Sequence, residues 1–371
     1  MFRRNKIAIV TIYGNNNYGN RLQNYALQQI LKQKNKRVYS IVPEKYNKYL
    51  LYLIRQCLRY IPETLVSKIK NKNIQRKIRF EKFNTKRIKI KWCFSKRRCF
   101  SNKVGMKFDC FIVGSDQVWN PLFWGSDEID DFANNYFLLF ANTYKRNSYA
   151  ASVGIAKIPN QYIDIFKNGI KHMNKLLVRE ENAVDICSKF GRNDAALVLD
   201  PVFLLNKCEW MNLENDVVNN SNYMLLYFLG SKCEDLMWGV TKLANSCGCE
   251  IVDLMDENCI YYSYGPEIFI ELIHKAKCVI TDSFHAIAFS IIYNTPFYVV
   301  NREQNGQEDM SSRIVSILKE THLEDRMIDY SKLKYISNFN CDFSNANNKL
   351  KILKKNSLME INKIFEGTED E

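Results

Sequence analysis

Short apolar runs alternate with longer segments whose apolar residues recur every three or four positions, through most of the chain. Runs such as 7–12, 110–113 and 278–281 predict buried strands, whereas segments such as 19–34 predict helices. Chains that alternate strand and helix form parallel sheets with helices on both faces. The pattern therefore predicts an α/β, doubly wound fold.

The alternation is interrupted at Pro201 and the polar stretch 212–222. A chain of 371 residues is long enough for about two domains. We therefore predict an N-terminal domain over 1–211, with a basic helical insert at about 45–103, and a smaller C-terminal domain over 222–330. A last helical pattern over 345–366 is expected to pack back on the N-terminal domain.

The formal charge of +13 is concentrated in the insert, where 45–103 holds 19 Lys and Arg against the two acids Glu63 and Glu81. Within it, 49–61 forms an apolar helix face with cations at its edge, which suits an anionic membrane surface. A solvated pair of basic helices packed on the domain is the alternative. No finger, helix-turn-helix or RNA-binding signature is present, so we expect no nucleic-acid partner.

Other features narrow the class of protein. No apolar run reaches the 18 or so residues that a membrane-spanning helix needs. The twelve cysteines are scattered and lack the spacing of a zinc site, which favours a reducing cytoplasm and predicts no metal. We expect a cytoplasmic protein, either free or peripheral at the inner face of the cell membrane.

Polar clusters follow two of the predicted strands in the first domain. The loop 13–20, which contains Asn17 and Asn20, leads into a helix whose free N–H groups suit an anion or polar ligand; it lacks GxGxxG, and a purely structural turn is the alternative. Ser115, Asp116 and Gln117 follow 110–113, where open sheets bind ligands. Asp116 suits orienting or deprotonating a hydroxyl, or capping a helix.

Two further strand ends carry basic residues. Arg179 follows 176–178, where a guanidinium clamps a carboxylate or phosphate, although a surface pair with a neighbouring glutamate has the same pattern. His285 lies in the first turn of the helix after 278–281. An imidazole there suits a general acid, with a buried structural histidine as the alternative.

Six motifs in order resemble the polysaccharide pyruvyl transferase family. They are GNNNYGNRLQNYAL, VGSDQVWNP, SYAASVG, VREENA, LDPVFLL and TDSFHAIAFSIIYNTPF, and the resemblance runs from about residue 7 to 326. It implies two Rossmann-like domains facing a central cleft, as in GT-B glycosyltransferases. It also implies transfer of a pyruvyl group from phosphoenolpyruvate to two hydroxyls of a sugar, with release of phosphate and no cofactor.

The resemblance also implies roles for individual residues. His285 matches the motif histidine and becomes the general acid, and Arg179 matches the motif arginine as an anion ligand. Many members have Arg-x-His where this chain has Ser283, and we expect Arg313, on the next βα loop, to replace that arginine. The first motif commonly ends Gly-Asp, whereas Asn20 stands here.

The acceptor is then expected to be a sugar of an exopolysaccharide or capsule repeat unit, carried on a lipid-linked oligosaccharide. A nucleotide-sugar-dependent glycosyltransferase on the same architecture is the main alternative, because fold alone does not fix chemistry. A non-catalytic subunit of a polysaccharide assembly complex is the other.

Overall fold

The computed structural model describes residues 6–14, 17–34, 36–124, 128–300 and 312–366. In chain order the strands are β1 Lys6–Val10, β2 Arg37–Lys45, β3 Ile90–Ser95, β4 Cys110–Val113, β5 Arg146–Ser148, β6 Leu177–Val178, β7 Ala196–Leu197, β8 Tyr223–Tyr227, β9 Glu250–Asp253, β10 Cys278–Thr281, β11 Phe297–Val300 and β12 Met327–Ile328. The helices are α1 Tyr18–Gln33, α2 Tyr49–Leu58, α3 Glu63–Val66, α4 Lys72–Arg87, α5 Asn102–Gly105, α6 Ile129–Tyr136, α7 Ile163–Lys171, α8 Glu181–Lys189, α9 Lys207–Met211, α10 Glu234–Ser246, α11 Pro266–Lys275, α12 Phe284–Tyr293, α13 Ser312–Thr321 and α14 Ser344–Lys363.

The chain divides into two compact units. Unit 1 comprises residues 1–61, 81–204 and 353–371, and unit 2 comprises 62–80 and 205–352. The chain therefore enters unit 2 at 204/205, a few residues before the predicted boundary. Part of the basic insert and the first part of α14 also belong to unit 2, whereas the sequence places the whole insert in the N-terminal domain.

Unit 1 is built on a parallel sheet with strand order β3-β2-β1-β4-β5. Its central strand β1 pairs with β2 on one side and with β4 on the other, so the chain order reverses between β1 and β4. Residues 7–9 of β1 are fully buried, because a parallel strand covered on both faces is apolar throughout. The carboxyl ends of β1 and β4 lie side by side, with Val10 paired to Val113.

The basic segment differs from its prediction in two ways. It is not wholly helical, since β3 lies within it and pairs with β2. Its residues 62–80 are anchored in unit 2 by two buried arginines. Arg79 donates to the carbonyl and hydroxyl oxygens of Ser263 at 2.9 and 2.8 Å, and the guanidinium of Arg76 lies 4.8 Å from the ring of Tyr262.

Unit 2 has a second parallel sheet, with strand order β12-β11-β10-β8-β9. Here the chain order reverses between β8 and β10, whose ends align with Tyr227 opposite Thr281. Helix α12 follows β10 and is apolar almost all round, so nine of its ten residues are buried. This burial fixes the first turn of α12 at the carboxyl edge of the sheet.

Helix α14 ends in unit 1 and packs there. The backbone N–H of Leu199 donates to the Ser357 hydroxyl at 2.9 Å, and Lys36 lies over the ring of Phe365 at 4.8 Å. The part of this helix from residue 353 onward therefore supports the strand end that leads to Asp200.

Candidate functional site

In unit 1, polar residues converge where the chain order reverses between β1 and β4. Open α/β sheets bind ligands at this place, outside the carboxyl ends of the strands. Ser115 is fully buried and is held at three points. Its N–H donates to Gln23 Oε1 at 3.2 Å, its carbonyl accepts from the Thr11 hydroxyl at 3.0 Å, and its own hydroxyl donates to Asp200 at 2.8 Å.

Asp116 follows with a left-handed backbone, φ 76°, which is uncommon for residues other than glycine and concentrates at functional sites. Its Oδ2 accepts from Asn20 Nδ2 at 2.8 Å and its Oδ1 from the Gln117 N–H at 2.9 Å. The side chain keeps 13% of its surface exposed, so this carboxylate is accessible to solvent. The next helical turn begins at Pro121 and is capped by Asn120, so Asp116 is not its N-cap.

Arg179 lies beneath this edge in a buried ionic network, which we define as Arg179, Asp116, Glu180 and Asp200. Its Nη1 is 2.5 Å from Asp200, its Nη2 is 3.8 Å from Asp116 and its Nε is 4.0 Å from Glu180. Burial opposes the charge, but the three carboxylates outweigh it and raise the pKa of Arg179. Arg179 and Glu180 are therefore part of a buried network and not a surface pair. The Arg179 guanidinium is surrounded by negative charge.

The carboxylates of the network are fixed by the backbone. Glu180 Oε1 accepts from the N–H groups of Val153 and Gly154 at 2.8 and 3.0 Å, and from the Ser152 hydroxyl. Gly154 has φ +69°, and a Cβ there would collide with the Gln117 side chain. A larger residue at 154 would therefore disturb both the Glu180 bonds and Gln117.

The first loop is held from the side of α1. Asn17 caps this helix, its side chain accepting from the Asn20 N–H at 3.0 Å. The fully buried Arg21 donates to Asn20 Oδ1 and to the Ile12 carbonyl, and its guanidinium lies 4.8 Å from the ring of Tyr13. Burial lowers the pKa of Arg21. Both asparagines predicted to bind substrate thus have bonds that order the loop.

In unit 2, the corresponding reversal between β8 and β10 carries a different set of groups. Asp282 follows β10, and its carboxylate accepts from the N–H groups of Leu229 and Gly230 at 2.7 and 2.8 Å. These bonds tie the loop after β8 to the start of α12. His285 lies in the first turn of α12, as predicted, and is 94% buried.

Ser283 stands two residues before this histidine in the chain. Arg313 comes close to the same turn through the fold. Ser283 is the N-cap of α12, and within the described residues its side chain makes no capping hydrogen bond. Arg313 lies in the first turn of α13 and not on a loop, which corrects the expectation. The rings of Phe284 and His285 meet edge to face at 5.3 Å, and the Arg313 guanidinium lies 5.9 Å from the Phe284 ring.

Sequence reasoning missed three members of these clusters. Glu180 and Asp200 stand inside quoted motifs, directly after Arg179 and before Pro201, and Arg21 follows Asn20. Their signal is a charged residue at a strand end or on the buried face of a helix. Charged residues are almost never fully buried unless paired, so each is a candidate for an ionic network.

Neither a group of metal ligands nor a membrane-spanning helix is present in the part of the chain that the structure describes. In those residues no group of three or more His, Cys, Asp or Glu side chains is arranged to hold a metal ion. None of the helices in the same residues combines the length and apolar character needed to cross a bilayer. The expectation that no metal is used stays a prediction.

Comparison with known proteins gives a family and a fold. The model of the family described as polysaccharide pyruvyl transferase matches residues 17–304. A comparison with curated proteins gives no match.

Three solved structures with a similar fold are from a plant, an archaeon and a bacterium. Arabidopsis thaliana UGT89C1, complexed with UDP-L-rhamnose, is 9% identical over 98% of this chain and 100% of its own, with a TM-score of 0.51. Methanocaldococcus jannaschii UDP-GlcNAc 2-epimerase is 13% identical over 95% and 99%, with a TM-score of 0.45. Acinetobacter baumannii MurG is 8% identical over 96% and 98%, with a TM-score of 0.42. The likeness to the first shows the fold alone, and the predicted α/β class with two Rossmann-like units of the GT-B kind is confirmed.

Proposed function

The chain belongs to the polysaccharide pyruvyl transferase family and is therefore a transferase, and from this premise we propose that phosphoenolpyruvate is its donor. The acceptor is a sugar of an exopolysaccharide or capsule repeat unit, on a lipid-linked oligosaccharide. The observation that carries the proposal is the family match over 17–304, which includes helix α1 and the strand ends after β4, β6 and β10.

In the proposed reaction a proton is added to the methylene carbon of phosphoenolpyruvate, which leaves an oxocarbenium-like centre at the neighbouring carbon. Two sugar hydroxyls form C–O bonds to that carbon, and its C–O bond to phosphate breaks. The products are a pyruvate ketal and hydrogen phosphate. Of the two protons that the hydroxyls give up, one replaces the proton added to carbon and the other ends on the phosphate.

We assign His285 as the acid that protonates the methylene carbon. Its position in the first turn of α12 supports this role, because the first N–H groups of a helix attract anions. Arg313, whose guanidinium shares the Phe284 ring with His285, adds a cation for the carboxylate or phosphate of the donor. The Ser283 hydroxyl is a further donor for the same anion, whereas the Ser283 N–H already donates to the Thr281 hydroxyl oxygen at 3.0 Å. One hydroxyl proton then restores the imidazolium.

We assign Asp116 to orient the acceptor hydroxyl and to take up the second proton. Its partial exposure and left-handed backbone support this role. The sequence predicts Arg179 as an anion ligand. Because three carboxylates already surround its guanidinium, we assign Arg179 instead to hold Asp116 in position. Substrate contacts by Arg179, Ser115, Gln117, Asn17 and Asn20 stay predictions.

The test is phosphate release from phosphoenolpyruvate by the purified protein, with a lipid-linked oligosaccharide extract as acceptor. His285→Gln is expected to lower the acceptor-dependent rate by about 10²–10⁴-fold, the usual contribution of a general acid. His172→Gln is the matched control, because His172 is exposed at the end of α7 and is expected to leave the rate unchanged.

Two results contradict the proposal. Equal rates for His285→Gln and wild type would remove His285 from the chemistry. Sugar transfer from a nucleotide sugar, with no phosphate released from phosphoenolpyruvate, would identify a nucleotide-sugar-dependent glycosyltransferase instead.

We further propose that the cytoplasmic protein binds anionic membrane through the α2 surface, which we define as the exposed apolar residues of 46–60. They are Tyr46, Tyr49, Leu50, Leu51, Leu53, Ile54 and Tyr60. Helix α2 contributes no buried residue, and Leu50 is 68% exposed. Lys48, Arg55 and Arg59 lie on the same segment, and this combination of apolar and basic groups suits an interface with anionic lipids.

Vesicle co-sedimentation tests the α2 surface. The double variant Leu50→Ser/Ile54→Ser is expected to weaken binding to phosphatidylserine-containing vesicles by about tenfold or more, because it removes two inserted side chains. Ile352→Ser/Met359→Ser is the control, since these side chains of α14 are 58% and 46% exposed. Equal binding of both variants, or self-association of wild type through α2 without vesicle binding, would overturn this assignment.

A further inference from the structure

A separate cavity of about 230 Å³ lies in unit 1, at the carboxyl ends of β1 and β2. It adjoins the strand-end cluster through two of its lining residues. The Thr11 hydroxyl donates to the carbonyl of Ser115, and the carbonyl of Ile12 accepts from Arg21. The cavity therefore opens close to the loop that carries Asp116.

Aromatic side chains form much of the wall. Tyr13, Phe123, Phe132 and Tyr136 line the cavity, and the rings of Phe132 and Tyr136 stack with centroids 5.8 Å apart. Sugar rings present apolar C–H faces that pack on aromatic rings, while their hydroxyls need polar partners at the edge. Aromatic walls with a few fixed polar groups are typical of small-molecule sites.

The polar partners are two carboxylates held in place by basic side chains. Asp131 pairs with Arg97 at 2.9 Å, and Glu128 pairs with Lys45 at 3.3 Å. A carboxylate accepts hydrogen bonds and donates none, so these groups suit the hydroxyls of a ligand. The cations paired with these carboxylates are already engaged. The lining itself carries two acids, Glu128 and Asp131, against one base, the solvent-exposed Arg98. This excess of negative charge favours an uncharged polyhydroxyl ligand over a phosphate.

The size of the cavity also suits this ligand. Its volume of about 230 Å³ equals that of roughly eight water molecules, which is enough for one sugar ring.

We propose that this cavity binds one uncharged sugar ring of the acceptor, with the ring against Phe132 and Tyr136 and its hydroxyls donating to Asp131 and Glu128. The proposal rests on the proposed function, because it takes the acceptor to be a sugar. It adds the residues that select the acceptor, next to the carboxylate that would orient its hydroxyl.

Binding of simple methyl glycosides tests the site without phosphoenolpyruvate. Methyl glucoside, galactoside, mannoside and N-acetylglucosaminide are titrated into the full-length protein by saturation-transfer NMR. At least one is expected to bind, and Asp131→Asn is expected to weaken that binding by about tenfold or more, the usual effect of losing a charged acceptor. Asn142→Ala is the control, since Asn142 lines a different cavity of unit 1.

The outcomes separate this inference from the proposed function. No glycoside binding by wild type, or equal binding by Asp131→Asn, would overturn the sugar site while phosphate release from phosphoenolpyruvate still supports the proposed function. Glycoside binding that Asp131→Asn weakens, without any phosphate release, would support the sugar site and contradict the donor. Phe132→Leu, which keeps an apolar side chain, is expected to weaken binding through loss of the ring and serves as a second variant should Asp131→Asn fail to fold.

Discussion

The two units have their strand-order reversals at equivalent places but surround them with opposite charge. In unit 1 the reversal holds the buried network, one guanidinium among three carboxylates. In unit 2 the one carboxylate described beside β10, Asp282, is occupied by two backbone N–H groups, and His285 and Arg313 supply basic groups. The same edge geometry thus favours a neutral hydroxyl in unit 1 and an anion in unit 2.

The largest effect is expected from removing the buried arginine beside each reversal, Arg179 in unit 1 and Arg313 in unit 2. Arg179→Met is expected to lower the free energy of unfolding by about 3–5 kcal/mol, because it leaves buried carboxylates without compensation. Arg313→Met removes the buried arginine of unit 2, whose guanidinium lies 5.9 Å from the Phe284 ring. Urea unfolding followed by circular dichroism measures both variants, and a larger loss of stability for Arg313→Met than for Arg179→Met would contradict the comparison.

A finer test adds a negative charge to unit 1. Asn20→Asp replaces the amide that donates to Asp116 with a second carboxylate, and is expected to cost about 1–3 kcal/mol of stability. Asn17→Asp is the matched control on the same helix. Asp caps as well as Asn does, so a change below about 0.5 kcal/mol is expected in urea unfolding. An unchanged free energy of unfolding in Asn20→Asp would mean that the network tolerates further negative charge.

The last test measures whether solvent reaches the Tyr136 hydroxyl, which interacts with Asp116 of the network. Burial raises the pKa of Tyr136 from 10.0 to about 12. A phenol that holds its proton more tightly when folded stabilises the protein fully below pH 10, and this contribution is lost as the pH rises from 10 to 12. Over that range the free energy of unfolding of wild type is expected to fall faster than that of Tyr136→Phe, by up to about 1.4 kcal/mol per pH unit. Parallel curves would indicate a solvated phenol.

The sequence was sufficient for features that depend on local pattern. The strand before Asp116 and the strand and helix around His285 were predicted because apolar runs of four or five residues stand next to polar strand ends. The place of each residue at the end of its strand follows from its neighbours in the chain. The same holds for the α/β class.

Features that depend on distant residues were not predicted. Asp200 meets Asp116 and Arg179 only because β4, β6 and β7 end at one edge of unit 1, and nothing in the spacing of these residues indicates it. Residues 62–80 are contiguous with unit 1 in sequence, yet Arg76 and Arg79 find their partners at residues 255–263. Burial of a long cation is decided by the available acceptors, which the local pattern does not contain.

The path of the final helix α14 affects how the protein is made. Residues from 353 onward complete unit 1, and Ser357 accepts from Leu199, next to the carboxylate that holds Arg179. Synthesis proceeds from the N-terminus, so this bond in unit 1 can form only after the whole of unit 2 has been made. A stop codon or a proteolytic cut before Ser357 would therefore weaken a site that lies more than 150 positions earlier in the chain.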